Sequence, residues 1–242
     1  MTDQAPSPSR AETSPAETSP AETSPAGASP AGAEPSSSRA GAGTETQAYT
    51  DRLTTKSGVW WKRVLNVQAP YRWNLHRLGL GRTLDVGCGV GRNLAHLGPG
   101  GVGVDHNPTS IAVCRELGLE AYTSEEFFRD GHARPGSFDS LLAAHLAEHM
   151  FAPDFDDVMG PYLPCLKPGG RLVLITPQER GYASDATHVR FVGFAEAAED
   201  CKRLGLEVVR QYSFPLPRSA GRSFTYNEFV TVARKPAGDG LR

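Results

Sequence analysis

The chain has 242 residues, with 25 basic and 27 acidic side chains and a formal net charge of −2. That balance lacks the clustered basic excess of a nucleic-acid binder. Its four cysteines carry no CxxC spacing, which excludes a disulfide framework or a zinc ribbon and fits reduced thiols. No apolar run is long enough to span a bilayer, and no basic start leads into the apolar stretch of a secretory leader, so the expected location is cytoplasmic.

Residues 1–48 contain three copies of AETSP followed by AGASPAGAEPSSSRAGAG, and no large apolar residue after Met1. Nothing there can offset the entropy of ordering the backbone, so this segment is expected to be a disordered tail. Its five Ser-Pro steps leave two readings, a solubilising linker or a phosphorylation and partner-binding segment. Residues 49–242 hold 23 basic and 21 acidic residues and are long enough for one domain with its own core.

The stretch before residue 78 holds all three tryptophans, Trp60, Trp61 and Trp73, and predicts one or two helices broken near Pro70. From residue 82 short apolar runs alternate with helical patterns. RTLDV, GVGVD, EAYT, FDSLLAA and RLVLIT read as buried strands. Helices are expected at 92–97 and 109–117, from near His145, and at 195–204. This alternation implies right-handed βαβ crossovers and a mostly parallel sheet. The last two runs, LEVVRQYSF and FTYNEFVTVAR, are joined by a connection too short for a helical crossover, which predicts an antiparallel ending.

The glycine loop GCGVGRN follows the first strand. A P-loop would need Lys followed by Ser or Thr, and none is present. The dinucleotide fingerprint would need a third glycine where Arg92 stands. Asp85 precedes the loop, where an anion repels a pyrophosphate but suits a cationic amino group. Asp105 ends the second strand, where a carboxylate can accept from both hydroxyls of a ribose. The ligand implied is a cationic, phosphate-free nucleoside.

In order and spacing, LDVGCGVG, GVGVDHNP, FDSLLAAHLAEHM and LKPGGRLVLITP resemble successive motifs of the class I S-adenosylmethionine-dependent methyltransferases. The closest likeness is to O-methyltransferases of the ubiquinone-biosynthesis type. The resemblance implies a Rossmann-like α/β fold. Its seven-stranded sheet would be mostly parallel with one antiparallel strand, in the order 3-2-1-4-5-7-6, with helices on both faces. It implies S-adenosylmethionine bound through the backbone of Gly87 and Gly89, with Cys88, Gly91 and Ala144 completing the contacts. Asp85 would hold the amino group, Asp105 the ribose and His106 the adenine face. The family's usual Asp after strand three is missing, and Ser124 or Glu125 is the nearest substitute. Ala69-Pro70-Tyr71-Arg72 resembles the Asn-Pro-hydrophobic-Arg of those relatives, which makes Arg72 the candidate for the cofactor's carboxylate.

HLAEHM sets His145, Glu148 and His149 on one face if it is helical, a spacing that could bind a divalent metal. The relatives carry Glu-x-x-Glu-His there and are associated with magnesium. His145 in place of the first glutamate is a poor magnesium ligand. The alternative is that Glu148 and His149 are scaffold residues with His145 near the substrate. After the fifth strand, His188, Arg190, Glu179 and Tyr182 are candidate acceptor contacts, or members of a solvated loop. The expected function is methyl transfer to oxygen or nitrogen of a small-molecule acceptor, with no nucleic-acid partner. His149, His145 and His188, in that order, are candidates for the general base. The rival functions are a methyltransferase-like binding module that no longer catalyses and a nicotinamide-dependent oxidoreductase.

Overall fold

A computed structural model describes residues 68–237. The 1–48 tail, Trp60 and Trp61 lie outside the described residues. Seven strands form one sheet: β1 (Thr83–Val86), β2 (Gly101–Asp105), β3 (Ala121–Thr123), β4 (Phe138–Ala144), β5 (Leu166–Pro177), β6 (Glu207–Phe214) and β7 (Glu228–Arg234). Their spatial order is β3-β2-β1-β4-β5-β7-β6, and β7 runs antiparallel to both β5 and β6. The apolar runs behave as expected of strands covered on both faces, and every residue of β1 and β2 is buried.

Among the described residues the helices are α1 (Ala69–Leu78), α2 (Arg92–Leu97), α3 (Pro108–Glu116), α4 (Ser124–Arg129), α5 (Ala152–Met159), α6 (Glu179–Tyr182) and α7 (Phe194–Arg203). On α1, Pro70 occupies the first turn, where its missing N–H costs nothing. Pro70 therefore lies where a helix begins, and the part of the expected helical stretch before residue 68 lies outside the described residues. Alternation along the central strands feeds two cores. Leu141, Ala143, Leu172 and Leu174 pack with Phe127 of α4, Phe155 of α5 and Ala197 of α7. Leu142, Ala144, Val173 and Ile175 face the opposite way, toward Leu75 of α1.

Two local outcomes depart from the sequence reading. α4 follows β3 directly because Thr123 and Glu126 form a reciprocal capping box, legible in the sequence as T-S-E-E. The helix expected from His145 does not start there. His145 takes a left-handed φ of 56°, Ala147–His149 make a 3-10 turn, and α5 begins only at Ala152 with a proline in its first turn. No helix among the described residues is long and apolar enough to cross a membrane.

Candidate functional site

Because β1 to β5 are parallel, their carboxyl ends share one edge of the sheet. The chain runs outward from β1 in one direction and from β4 in the other, so the crevice between them is the topological switch point where ligands bind in open α/β sheets.

Gly87, Gly89 and Gly91 all have positive φ, at 74°, 53° and 80°. The loop thereby folds back on β2: the N–H groups of Gly87 and Cys88 both donate to Val104 O, at 2.8 and 3.1 Å. A Cβ on Gly87 would lie 2.8 Å from Leu146 Cδ1, and one on Gly91 2.6 Å from Leu119 Cδ1. Only glycine permits both the torsion and the approach there. Leu146, which covers Gly87 from the turn after β4, escaped the sequence reading because nothing local marks it.

Asp85 is buried on β1 and its Oδ2 has no hydrogen-bond partner. Burial, reinforced by the neighbouring Asp105 charge, lifts its pKa to about 8. A buried carboxyl left one bond short and resisting ionisation is fitted to a cationic amino group. Asp105 accepts from Gly89 N at 2.8 Å through Oδ2 and from Asn107 N at 2.9 Å through Oδ1. Each oxygen keeps a further lone pair for a ligand hydroxyl. His106 is half-exposed beside it, with Nδ1 3.5 Å from Asp105 Oδ1. Ala144 ends β4 and is buried.

Ser124 opens α4, and its Oγ accepts from Tyr162 Oη at 3.1 Å, whereas Glu125 pairs with Arg129 on the surface. Arg72 is exposed on α1, near enough to α2 that its charge, after burial, helps to hold the His96 pKa down.

The three histidines separate clearly. His145 lies between two carboxylates, Nδ1 3.2 Å from Glu148 Oε1 and Nε2 3.0 Å from Glu228 Oε1. Burial works against its charge, but these two hydrogen bonds outweigh it and lift the pKa to about 10. Both ring nitrogens donate, which leaves no lone pair for a base or a metal ligand.

His149 Nδ1 faces Thr187 O at 3.3 Å and Thr187 Oγ1 at 3.2 Å, and that hydroxyl already donates to Asp185 Oδ1. Nδ1 must therefore carry the proton, and Nε2 the lone pair. Burial holds the His149 pKa down, with the nearby His188 adding to the effect. His188 Nδ1 faces Tyr182 O at 2.8 Å, which again leaves Nε2 with the lone pair. The two imidazoles meet edge to face at 4.8 Å, and Tyr182 stacks on His188 at 5.3 Å. Glu148, His149 and His188 bring ligand atoms within 4.8 Å of one another. The structure thus gathers Glu148 and His149 as the sequence spacing suggests, but replaces His145 by His188.

Of the other candidates after β5, Arg190 makes two 2.8 Å bonds to the fully buried Asp200 and is committed to the scaffold. Glu179 is paired with Arg218. Tyr182 stays at the site as the stacking partner of His188.

Residues 84–174 match the family model described as a methyltransferase domain. The chain is 31% identical over 147 residues to a ubiquinone biosynthesis O-methyltransferase of Xanthomonas euvesicatoria, an alignment covering 54% of this chain and 61% of that protein. It is 34% identical over 123 residues to a methyltransferase, GfsG, of Streptomyces halstedii, covering 47% and 44% respectively. The chain therefore spans about three fifths or less of the length of these relatives. Among solved structures, a SAM-dependent methyltransferase from Archaeoglobus fulgidus superposes with a TM-score of 0.54 at 18% identity, covering 68% of this chain and 93% of that one. The magnesium protoporphyrin IX methyltransferase of Synechocystis, solved with SAH, gives 0.56 at 13% identity, covering 80% and 96%.

Proposed function

We propose that this chain, whose residues 84–174 match the methyltransferase-domain model, is a class I S-adenosylmethionine-dependent methyltransferase that transfers a methyl group to oxygen or nitrogen of a small molecule. The observation that carries this reading is Asp85, buried with one oxygen unpartnered beside a positive-φ glycine loop whose Gly89 is tied to Asp105. A pyrophosphate would meet two carboxylates there, which disfavours the nicotinamide reading.

In this assignment Asp85 pairs with the cofactor's amino group, Asp105 with its ribose, and the backbone of Gly87, Cys88, Gly89 and Gly91 lines its path. Ala144 borders the crevice, His106 and Ser124 border the adenine end, and Arg72 remains the candidate for the carboxylate. When bound, the cofactor supplies an activated methyl group for in-line displacement. The protein's part is alignment, for which orientation can supply roughly 7–11 kcal/mol.

The acceptor lies against the turn after β4 and the 182–190 loop. His149, kept neutral and aimed by Thr187, takes the acceptor's proton at Nε2, a step worth about 10²–10⁴-fold. His188 offers the second Nε2. His145 serves as a fixed cation between Glu148 and Glu228, not as a base. A small molecule also suits the similarity to a relative named for ubiquinone biosynthesis and the near-neutral charge of residues 49–242.

Isothermal titration of the whole chain with S-adenosylmethionine and, separately, NAD tests the reading. Binding of the first alone is expected; binding of NAD in its place would overturn it. Transfer of an isotope-labelled methyl group to a panel of phenols, carboxylates, amines and sugars then identifies the acceptor, and labelled product separates an enzyme from a non-catalytic binding module.

A further inference from the structure

The amino edge of the sheet, opposite the crevice, carries a cavity of about 170 Å³. Arg82 just before β1, Val102 in β2, Glu120 just before β3 and Phe138 at the start of β4 line it, and the 132–137 segment closes it. β2 runs from this edge to Asp105, so roughly 13–17 Å of strand separate the cavity from the crevice.

The floor is apolar, made by the buried side chains of Val102, Phe127 and Phe138. One wall is a stacked pair: the His132 imidazole lies 4.0 Å from the Tyr122 ring, with the planes 26° apart. The backbone and a side chain hold this pair. His132 N donates to Phe127 O at 3.1 Å, and Tyr122 Oη donates to Glu120 Oε1 at 3.3 Å.

The rim is cationic. Among the described residues the Arg82 guanidinium makes no hydrogen bond or ion pair, and it lies over the Phe138 ring, 5.1 Å from its centroid. Arg134 uses only Nε, which donates to Gly131 O at 3.2 Å, so both terminal NH₂ groups keep their donors. The acids around the rim are engaged elsewhere. Asp139 receives Lys167 at 2.5 Å and Arg82 N at 2.9 Å, and Glu126 receives Arg115 at 2.6 Å. Glu120 is the acid in the lining, so two guanidiniums face one carboxylate and the cavity is net positive.

We propose that this cavity binds a small planar aromatic carboxylate. The site is separate from the crevice and stands independently of the cofactor and acceptor assignments.

Each part of the ligand answers a part of the cavity. A guanidinium fork meets both oxygens of a carboxylate in one plane, through two parallel hydrogen bonds. An aromatic ring displaces water from Val102, Phe127 and Phe138 and extends the His132–Tyr122 stack. Size sets the limit. A cavity of about 150 Å³ holds benzene, whereas drug-sized ligands occupy pockets of about 300–1,000 Å³. One ring therefore fits, with its carboxylate at the mouth between Arg82 and Arg134. Inorganic phosphate would match the arginines but leave the apolar floor wet, and a neutral ring would leave the guanidiniums unmatched.

The test titrates the full ¹⁵N-labelled chain with sodium benzoate at constant ionic strength, read by amide NMR and calorimetry. Benzamide and inorganic phosphate are titrated in parallel. The expected result is one benzoate per chain, with saturable shifts at Arg82 and across residues 131–138. Benzamide and phosphate should each bind at least about tenfold more weakly, the loss expected when a charged hydrogen-bond partner or the buried ring is removed. Arg82→Gln and Arg134→Gln should each weaken benzoate by about tenfold on the same ground. Arg134 is exposed and its side chain bonds only Gly131 O, so its replacement leaves the fold intact, and an otherwise unchanged amide spectrum verifies this. Shifts that do not saturate, benzamide binding as tightly as benzoate, phosphate binding more tightly, shifts centred on residues 87–91, or unchanged affinity in Arg134→Gln would each overturn the site.

Discussion

The backbone N–H of Gly89 donates to Asp105 Oδ2 at 2.8 Å, so the glycine loop after β1 and the carboxylate ending β2 are one mechanical unit. The other Asp105 oxygen holds Asn107 N, and Asn107 Oδ1 in turn caps α3 by accepting from Thr109 N at 2.9 Å. Loop, strand end and helix start are connected through two side chains.

Asp105→Ala removes both of these acceptors together with the proposed ribose contact. Hydrogen bonds to a charged group contribute about 1.5–3 kcal/mol, so S-adenosylmethionine affinity should fall roughly 10–150-fold. Asp105→Asn keeps one acceptor oxygen and should lose less. Unchanged affinity in the alanine variant, measured by calorimetry, would remove Asp105 from the binding site.

Asp85 makes two linked predictions through pH. Its pKa rises from 3.8 to about 8 on folding, so the neutral form favours the folded state. Its contribution to stability is complete below about pH 4 and is lost as pH climbs through about 8. Asp85→Asn should therefore flatten the decline in urea midpoint between pH 5 and 9 in the cofactor-free protein. A cationic amino group reverses the preference, so binding S-adenosylmethionine at pH 7 should release close to one proton. Calorimetry in buffers of different ionisation enthalpy reads that number, and Asp85→Asn should abolish it.

Gly91 and Gly118 separate torsional strain from steric clash. Both have positive φ, 80° and 72°. A Cβ on Gly91 would lie 2.6 Å from Leu119 Cδ1 and 2.9 Å from Cys114 Sγ, whereas one on Gly118 meets nothing within 4 Å. Gly118→Ala should cost about 1 kcal/mol from torsion alone. Gly91→Ala should cost about 1–3 kcal/mol more from overpacking. Equal midpoints for the two variants in chemical denaturation would contradict this.

The pair Arg190–Asp200 is structural. Asp200 is fully buried and receives Arg190 twice, and Arg203 once more. Asp200→Ala strands the Arg190 guanidinium, only 15% exposed, and should destabilise the fold by about 3–5 kcal/mol. Replacing both partners with apolar residues of similar volume should recover most of that loss.

Much of the architecture is legible without coordinates because its causes are local. β1 and β2 are buried on both faces and so read as short apolar runs. The residue before a tight loop must be followed by glycines where φ turns positive, as at Gly87, Gly89 and Gly91. Asp85 and Asp105 are readable because each lies within a few residues of a strand end, where the crevice opens.

The histidine cluster after β4 obeys different physics. His145, Glu148 and His149 look like one ligand set at helical spacing, but His145 turns left-handed and leaves the set. Its second partner, Glu228, lies 83 residues away and is the first residue of β7. Because β7 is antiparallel, its start arrives at the edge where the parallel strands end, opposite Pro177 of β5. His188 joins His149 only because the 187–190 segment bonds back onto the turn after β4. Sequence alone determined the strands, the glycine loop and the two carboxylates beside it, since torsion and burial along one segment specify them, whereas the strand order was implied by the family resemblance. Which histidine is a cation and which keep a lone pair was decided by tertiary structure, because a titrating side chain takes its state from whatever the fold sets against it.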